Sequence, residues 1–366
     1  MKTFRILIVL FASAFLFSCD NESDEPKASV DIPEKFTVDI PSTLSSSADG
    51  SLSGKSGSHL NGREAGDGDG YIEGNEIYES LRYFIKIGEG SAEIIEFTLQ
   101  VATALEVQNV NSLSFTSDED GRDKRLEITR DVSRGGVAYE YEMTMYDEED
   151  NAQALQLLWN TSPVEGVGII NFYHINRTES DNPNALIRID YTEDDADYDA
   201  AMTVSIAGLL TPNNGDINNM KMKVGKIGDV VEIMGNSNHP DVAIIDENNP
   251  LSRNYAFTGR GDEASDLGVV NLALPPSTVT TNDVLEDYSV YAVLEAEIQA
   301  AGVTDQAIID EILQEAHSPA YFNAAGFITS GVDNKPASFS DTFVDISDLN
   351  PFVPADVANL SVGFIQ

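Results

Sequence analysis

The stretch from residue 126 to residue 273 alternates apolar and polar residues with a period of two, the pattern of β-strands that bury one face. Tyr139, Tyr141 and Met143, for example, alternate with glutamates. Polar turn sequences separate such runs, and they occupy residues 147–151, 162–163, 181–184, 213–216 and 248–250. Their spacing predicts a meander of about eight to ten antiparallel strands.

Two helical patterns precede these strands, one at residues 75–87 and one at residues 91–107. Gly88 and Gly90 are expected to separate them. Residues 91–107 are apolar around most of the helix circumference, which predicts a helix buried by other elements. The simplest packing is an α+β fold, in which a curved antiparallel sheet or part-barrel surrounds that helix. This architecture is generally similar to the half-barrels of lipid carriers.

The C-terminal part of the chain, residues 276–366, is predicted to be a helical segment packed on the body at residues 71–275. One helix is expected at residues 283–300 and a second at residues 305–317, with Thr304 as its N-cap. The sequence leaves open whether this segment is a separate domain. The rest of it carries patches of aromatic residues without a helical or strand period.

The first 19 residues have the layout of a secretory signal. Lys2 and Arg5 give a positive start, residues 6–17 are apolar, and the small residue Ser18 precedes Cys19. About a dozen apolar residues are too few for a transmembrane helix, which needs about 20. The alternative to a lipoprotein signal is an ordinary secreted protein with a chance cysteine.

The stretch Leu16-Phe17-Ser18-Cys19 resembles the lipobox of bacterial lipoproteins. The resemblance implies that residues 1–18 are a signal peptide, that Cys19 carries an acyl lipid such as palmitate, and that the mature chain is an outer membrane lipoprotein. The acidic residues 20–25 are similar to the export stretch of Bacteroidota surface lipoproteins, and the periplasmic face of the membrane is the alternative location.

Residues 19–70 are rich in Ser, Gly, Asp, Glu and Pro, which predicts a lipidated flexible tether. A short strand is expected within it at residues 35–40, because Phe36, Val38 and Ile40 alternate with polar residues. We expect this strand to dock onto the folded body, whereas the rest of the tether separates the body from the lipid.

The charge of the chain limits its partners. The net charge is −41, and loss of Lys2 and Arg5 with the signal leaves 19 basic against 62 acidic residues, or −43. Such a charge repels phosphates, so nucleic acid is not expected as a partner. Bound cations or a well-solvated acidic surface are the two explanations left open. Cys19 is the only cysteine, which excludes a disulfide within the chain.

Residues 67–76 resemble the calcium loop of EF-hands and dockerins. The residues that would provide oxygen ligands are Asp67, Asp69, Tyr71, Glu73 and Glu76. Ala65 stands where the motif has its first aspartate, which weakens the match. Calcium is the one cofactor that the sequence suggests. The alternative is a Gly-Asp turn whose acidic residues favour the start of a helix.

Acidic turns at residues 118–121, 147–150 and 194–199 could donate further carboxylates to a cation, but solvated hairpin tips are the simpler interpretation. With 62 acidic residues, no pair of carboxylates is singled out for glycoside hydrolysis. The sequence contains neither a Gly-x-Ser-x-Gly elbow nor a His-x-x-x-His zinc pattern.

Three aromatic residues are candidates for ligand binding. Trp159 is expected at a strand end, and Phe172 and Tyr173, with His174, are expected in the next strand. Together they could form a flat surface that stacks on a sugar ring or another planar ligand. Packing of the same residues in the core is the alternative.

These features predict a lipid-anchored, non-catalytic binding protein of the cell envelope for an apolar or glycan ligand. The alternative is an envelope structural or interaction lipoprotein whose sheet interior is packed by its own helix. A carboxylate-dependent hydrolase is the third candidate. The expected partners are the membrane, through the lipid on Cys19, and either a small ligand or an envelope protein.

Overall fold

The fold is known from a computed structural model, which describes residues 30–45, 74–104, 112–118, 120–178, 182–209, 218–238 and 253–366. The described residues form one open, curled antiparallel sheet of 13 strands, accompanied by helices. The α+β class predicted from the sequence is therefore confirmed.

Each strand of the sheet pairs with the next strand along the chain, so the sheet is a single meander. The strands are β1 (Ser112–Thr116), β2 (Asp123–Arg134), β3 (Val137–Asp147), β4 (Ala152–Thr161), β5 (Val164–Ile170), β6 (Leu186–Thr192), β7 (Ala200–Ala207), β8 (Asn219–Ile227), β9 (Val230–Asn238), β10 (Asn254–Asp262), β11 (Leu267–Ala273), β12 (Ala320–Asn323) and β13 (Gly326–Ser330).

Ten strands, β2 to β11, lie in the region where eight to ten were predicted. The sequence reasoning missed β12 and β13, which lie in the segment expected to be helical or irregular. Their four and five residues are too short to establish a period. Val269 of β11 pairs with Tyr321 of β12, so the C-terminal segment extends the same sheet.

The helices are α1 (Gly74–Ala104), α2 (Phe172–Ile175), α3 (Val290–Ala300), α4 (Gln306–Ile312), α5 (Asp341–Val344) and α6 (Pro354–Ala358), with a short 3-10 helix at Val332–Asn334. Within the described ranges, none of these helices has both the length and the apolar character that a transmembrane span requires. Among the helices of the described ranges, α1 is the longest, with 31 residues.

The helix α1 is continuous, and the predicted break at Gly88 and Gly90 is wrong. A Cβ atom on Gly88 would lie 2.6 Å from the Cε atom of Met222 in β8. The glycine therefore allows a close approach between helix and strand, and it does not end the helix. Sequence alone does not distinguish these two uses of a glycine.

One side of α1 is buried and the other is exposed. The buried apolar residues recur at helical spacing, and they include Ile77, Leu81, Phe84, Ile95 and Leu99, whereas Glu93, Gln100 and Thr103 are exposed. The ring of Phe84 lies 5.1 Å from that of Tyr255 in β10, and the hydroxyl oxygens of Ser80 and Tyr255 are 3.1 Å apart. The helix is therefore amphipathic, and its apolar side contacts the sheet.

The two faces of the sheet carry different apolar clusters, because neighbouring residues of a strand point to opposite faces. Val270 belongs to the large cluster that includes the buried side of α1. Val269 belongs to a smaller cluster, whose other buried members are Tyr321, Phe339, Ile346 and Leu349. Residues 339–349 thus cover part of the outer face of the sheet.

The two C-terminal helices differ from the prediction at their starts. α3 begins at Val290, not at residue 283, and Ser289 is its N-cap. The residue before α3 is held by the sheet, because Ser289 forms an antiparallel β-bridge with Ala273 of β11. α4 is capped by Asp305, whose carboxylate accepts a hydrogen bond from the backbone N–H of Ala307, and not by Thr304.

Residues 30–45, here called the N-terminal segment, pack into the large apolar cluster without forming a strand. Phe36 and Leu44 are fully buried, and Val38 and Ile40 are nearly so. The expected docking of residues 35–40 is therefore seen, although the expected strand is not. The lipobox, residues 19–29 and residues 46–70 of the predicted tether lie outside the described residues.

Candidate charged site

A cluster of charged residues lies at the end of the sheet formed by the β1–β2 and β3–β4 turns, next to α2. We call it the charge cluster; its members are Asp120, Arg122, Lys124, Asp147, Asp150, His174 and Arg177. The register of the β2–β3 pair places Lys124 directly opposite Asp147. The hairpin thus positions the first ion pair of the cluster.

Asp147 is the centre of the charge cluster, and its side chain is 0% exposed. The guanidinium of Arg122 binds both carboxylate oxygens, with Nε 2.7 Å from Oδ2 and Nη2 2.8 Å from Oδ1. Nη2 of Arg177 lies 3.4 Å from Oδ2. Two-point pairing with arginine fixes the orientation of the carboxylate as well as its charge.

Lys124 is also buried, with a side chain that is 1% exposed. Its ammonium lies 3.1 Å from Oδ2 of Asp120 and 3.3 Å from Oδ2 of Asp147, and it donates a 2.9 Å hydrogen bond to the carbonyl oxygen of His174. All three hydrogens of the ammonium therefore have acceptors, which a buried lysine requires.

Arg177 connects α2 to the charge cluster. It pairs with Asp150, and its Nη2 lies 3.3 Å from Nδ1 of His174. Its guanidinium also lies 4.5 Å from the ring centre of Tyr173, a cation–π contact. α2 itself is held at its start by Asn171, whose side-chain oxygen accepts a hydrogen bond from the backbone N–H of His174.

The environment shifts four pKa values in the charge cluster, and the hydrogen bond to Asp147 raises that of Arg122. Burial alone raises the pKa of Asp147, but the hydrogen bonds from Arg122 and the charge of Lys124 outweigh it and lower this pKa to about 2. At Asp120, burial also raises the pKa, but hydrogen bonds from Lys124 and from the backbone N–H of Arg177 outweigh it and lower the pKa. Burial lowers the pKa of His174, which favours the neutral ring.

Asp147, Asp150 and His174 offer ligand atoms within 4.8 Å of one another, a spacing that could hold a metal ion. Both oxygens of Asp147 are already bound by Arg122, and Arg177 occupies Asp150 and lies beside the ring nitrogen of His174. A divalent cation would have to displace a guanidinium. The arrangement therefore suits a structural ion network, and the lowered pKa of Asp147 does not suit a general acid.

The structure brings together two of the three acidic turns that the sequence singled out. Asp120 and Asp147 share Lys124, so neither is a solvated hairpin tip as the simpler interpretation held. The third turn, at residues 194–199, lies between β6 and β7, where Asp195 pairs with Lys223 at 3.2 Å. That turn is not part of the charge cluster.

Sequence reasoning missed the basic members of the charge cluster. Arg122 and Lys124 are two residues apart and directly follow an acidic turn, which is a usable signal once the β2–β3 hairpin is assumed. Arg177 carries no such signal, because it reaches Asp147 only through the fold of the β5–β6 connection.

The predicted aromatic surface differs from the expectation in its secondary structure. Phe172 and Tyr173 lie in the short helix α2 and not in a strand. Trp159, in β4, is fully buried, with its ring stacked on Tyr141 at 5.2 Å and its N–H donating to the carbonyl oxygen of Asp31. A ligand-binding role of Trp159, Phe172 and Tyr173 stays a prediction, and a ligand would have to displace these contacts to reach the indole.

The calcium-loop residues Asp67, Asp69, Tyr71 and Glu73 lie outside the described residues. The backbone of Glu76 lies in the first turn of α1, and its side chain is not among the described atoms. Calcium binding at this loop stays a prediction.

The described fold defines an α+β protein built on a single antiparallel meander, with a buried ion network at one end of the sheet. No protein-family model, curated protein or solved structure matches this chain.

Proposed function

We propose that the chain is a lipid-anchored protein of a bacterial outer membrane that acts through contacts of its outer surface with another envelope component, and that it is not an enzyme. Two features support the proposal. The first is the resemblance of Leu16-Phe17-Ser18-Cys19 to a lipobox. The second is the burial, in one apolar cluster, of large side chains of the sheet, of α1 and of residues 30–45, and this observation carries the proposal.

The large side chains on the inner face of the sheet are buried. Those with 0 or 1% exposure include Phe36, Tyr78, Trp159, Tyr255 and Phe257. They belong to one apolar cluster that joins α1, the N-terminal segment and the strands. We infer that the sheet curls around α1 and the N-terminal segment. A face filled in this way leaves the outer surface for a partner.

The charge of the mature chain favours a partner with a basic surface. At −43, the chain repels anionic partners and attracts basic ones, and electrostatic complementarity raises the rate of encounter. A basic envelope protein fits this requirement better than an anionic lipid surface. The lipid on Cys19 then serves to hold the chain at the membrane.

The anchor is tested by labelling cells that express the wild-type chain or the Cys19→Ser variant with an alkyne analogue of palmitate. We expect label on the wild type, which should fractionate with membranes, and none on the variant. An unlabelled wild type in the soluble fraction would contradict the anchor. Ser18→Ala, which keeps a small residue before the cysteine, is the matched control and should be labelled like the wild type.

The filled interior is tested by native mass spectrometry of the wild type extracted from its own envelope. We expect the mass of the mature polypeptide plus the lipid on Cys19 and nothing more. An additional mass that organic solvent removes would favour ligand binding over surface interaction.

Binding of an apolar ligand is the second candidate function, and the methionines beneath α1 favour it. Met202, Met220 and Met222 are fully buried, and Gly88 of α1 faces the last two. Unbranched methionine side chains repack readily around a new neighbour. A shift of α1 would therefore open a space lined by adaptable side chains. Displacement of a fluorescent fatty acid by lipid extracts would reveal such a site.

A further inference from the structure

We infer that the N-terminal segment locks the lipid anchor to the folded body through noncovalent contacts, so that the body stays on the membrane even when the chain between residues 46 and 73 is cut. The inference rests on the proposed lipidation of Cys19. The interaction surface lies on the inner face of the sheet, and residues 30–45 of this chain bind to it.

The beginning of the N-terminal segment is held by β4, β5 and β6. The indole N–H of Trp159 donates a 2.9 Å hydrogen bond to the carbonyl oxygen of Asp31. The ring of Phe36 lies 5.2 Å from that of Tyr191. Phe36 also lies against Gly166, where a Cβ atom would come within 2.9 Å of Cζ of the phenyl ring.

The end of the N-terminal segment is held by α1 and the β10–β11 turn. Arg82 of α1 has a side chain that is 5% exposed, and its Nη2 donates a 2.6 Å hydrogen bond to the carbonyl oxygen of Ser42. The carboxylate of Glu263 accepts a 2.8 Å hydrogen bond from the backbone N–H of Ser42. In the middle, the hydroxyl of Thr37 donates to Glu96 of α1 at 2.7 Å.

Two glycines in the last long strands shape the groove that holds the N-terminal segment. A Cβ atom on Gly261 would lie 2.7 Å from the side chain of Leu44. A Cβ atom on Gly268 would lie 2.9 Å from the carbonyl oxygen of Thr43, and the three atoms nearest to it all belong to Thr43. Any other residue at 268 would therefore collide with backbone of the segment.

The docking shortens the chain that separates the lipid from the body. If residues 19–70 were all tether, the 51 residues after Cys19 would span at most roughly 180 Å. With the N-terminal segment docked, only the ten residues 20–29 lie between the lipid and the body, and they span at most about 35 Å. The body is therefore confined to a thin layer above the membrane.

The test uses the complete lipidated chain with a recognition sequence for a sequence-specific protease inserted between Gly54 and Lys55. The chain is incorporated into lipid vesicles, cut, and separated by flotation. We expect the cut body to float with the vesicles as the uncut chain does. Release of the cut body, while the fragment that ends at the cut site stays with the vesicles, would overturn the inference.

A second measurement separates this inference from the lipidation on which it rests. The Cys19→Ser chain, labelled with a fluorophore at its N-terminus after signal removal, is cut in solution at the same site and passed through a size-exclusion column. Co-elution of the labelled fragment with the body supports the docking whether or not Cys19 is lipidated. A fragment that elutes alone overturns it. An uncut wild-type chain that fails to float contradicts the lipid anchor alone.

The groove itself is tested by Gly268→Ala, with Gly363→Ala as the matched control, because a Cβ atom on Gly363 has no neighbour within 4 Å. We expect the first variant to weaken retention of the cut fragment by about tenfold or more and the control to leave it unchanged. If Gly268→Ala does not fold, Phe36→Ala removes a contact from the segment side and should weaken retention in the same way. Equal retention by all variants would overturn the assignment of the groove.

Discussion

At the scale of single residues, Asp147 shows how the charge cluster accommodates a fully buried carboxylate. A lone carboxylate without access to water is strongly unfavourable, but this one has three cations within 3.4 Å of its oxygens. Removing its charge would leave Arg122, Lys124 and Arg177 without their shared anion. The loss of one charge therefore affects three side chains.

We predict that Asp147→Asn lowers the free energy of unfolding by about 3–5 kcal/mol, the range for breaking a buried ion pair by removing one partner. Asp123→Asn, at an exposed position in β2, is the matched control and should change it by less than about 0.5 kcal/mol. Urea titration followed by circular dichroism measures both. Equal stabilities of the two variants would show that the charge cluster contributes nothing to the fold.

Stability should also fall in acid over a defined interval. The pKa of Asp147 is lowered from its ordinary value of 3.8 to about 2, so the folded state binds this proton less tightly than the unfolded chain does. Its contribution is complete above about pH 4 and is lost as the pH falls towards 2. Urea midpoints measured across this interval should fall more steeply for the wild type than for Asp147→Asn. Parallel curves would contradict the lowered pKa.

The sequence identified the acidic members of the charge cluster as turn residues but not their burial. Asp147 ends an alternating run and precedes three more acidic residues, so local sequence indicates a solvated tip. It is buried because Arg177, 30 residues further along the chain, folds back over it with α2. Pairing between distant residues has no local periodicity and is not predictable from spacing.

At the scale of elements, the contact between α1 and β5 depends on a glycine. A Cβ atom on Gly168 would lie 2.2 Å from Cδ1 of Ile95, so a side chain at this position requires Ile95 to move. A similar contact occurs at Gly88, where the glycine is on the helix and the large side chain, Met222, is on the strand. Complementary shapes of this kind fix where the helix lies on the sheet.

We predict that Gly168→Ala and Ile95→Val are coupled. Gly168→Ala should lower the free energy of unfolding by about 1–3 kcal/mol because the new methyl group overpacks the contact. Ile95→Val should lower it by about 0.5–1.5 kcal/mol because a buried methyl group is lost. Ile95→Val removes the atom with which the new methyl collides, so the double variant should be at least about 0.5 kcal/mol more stable than the sum predicts.

The control for this cycle pairs Gly168→Ala with Ile85→Val, because Ile85 is also fully buried on α1 and lies nearly three turns from Ile95. The control pair should be additive within about 0.5 kcal/mol. Urea unfolding of the six proteins provides the values. Additivity in both cycles would argue against packing of α1 on this part of the sheet.

Elements with a long, regular period were predictable, and short ones were not. The strands β2 to β11 average several alternations each, and turn residues separate them, so their number could be read from sequence. β12 and β13 become strands because β11 offers a free edge to Tyr321 and its neighbours. The preference for strand structure therefore depends on the assembled sheet, and a sequence of four residues does not reveal it.

At the scale of the whole molecule, the excess of acidic residues opposes folding. With 62 acidic and 21 basic residues, the compact state brings like charges together. The buried pairs of the charge cluster are screened little by salt, whereas repulsion between exposed carboxylates is screened strongly. Net repulsion should therefore dominate the response of the protein to ionic strength.

We predict that the thermal midpoint rises as NaCl increases from about 0.01 M to about 0.5 M, because the Debye length shortens from about 30 Å to less than 10 Å over this range. Differential scanning calorimetry at constant pH measures the change. Equimolar choline chloride is the control, and it should give a similar rise. A rise with NaCl alone would indicate a bound sodium ion, and a fall in both salts would contradict the dominance of repulsion.

The fold class and the meander could be predicted because both follow from patterns along the chain. Packing of residues 91–107 inside a curved sheet stays a prediction, whereas the burial of Leu44 was not predicted, because the composition around it is that of a linker. Alternation within six residues indicated docking at residues 35–40. In this short segment, the alternation of apolar and polar residues predicted docking, whereas the composition predicted a tether.

The groove for the N-terminal segment also has a consequence for the order of synthesis. Residues 30–45 leave the ribosome early, yet Gly268, which shapes the end of their groove, is made more than 200 residues later. The wall that receives Leu44 is missing until β10 and β11 have been translated and paired. Throughout that interval Leu44 lacks the strands that bury it, so the end of the segment completes its docking only when the second half of the chain arrives.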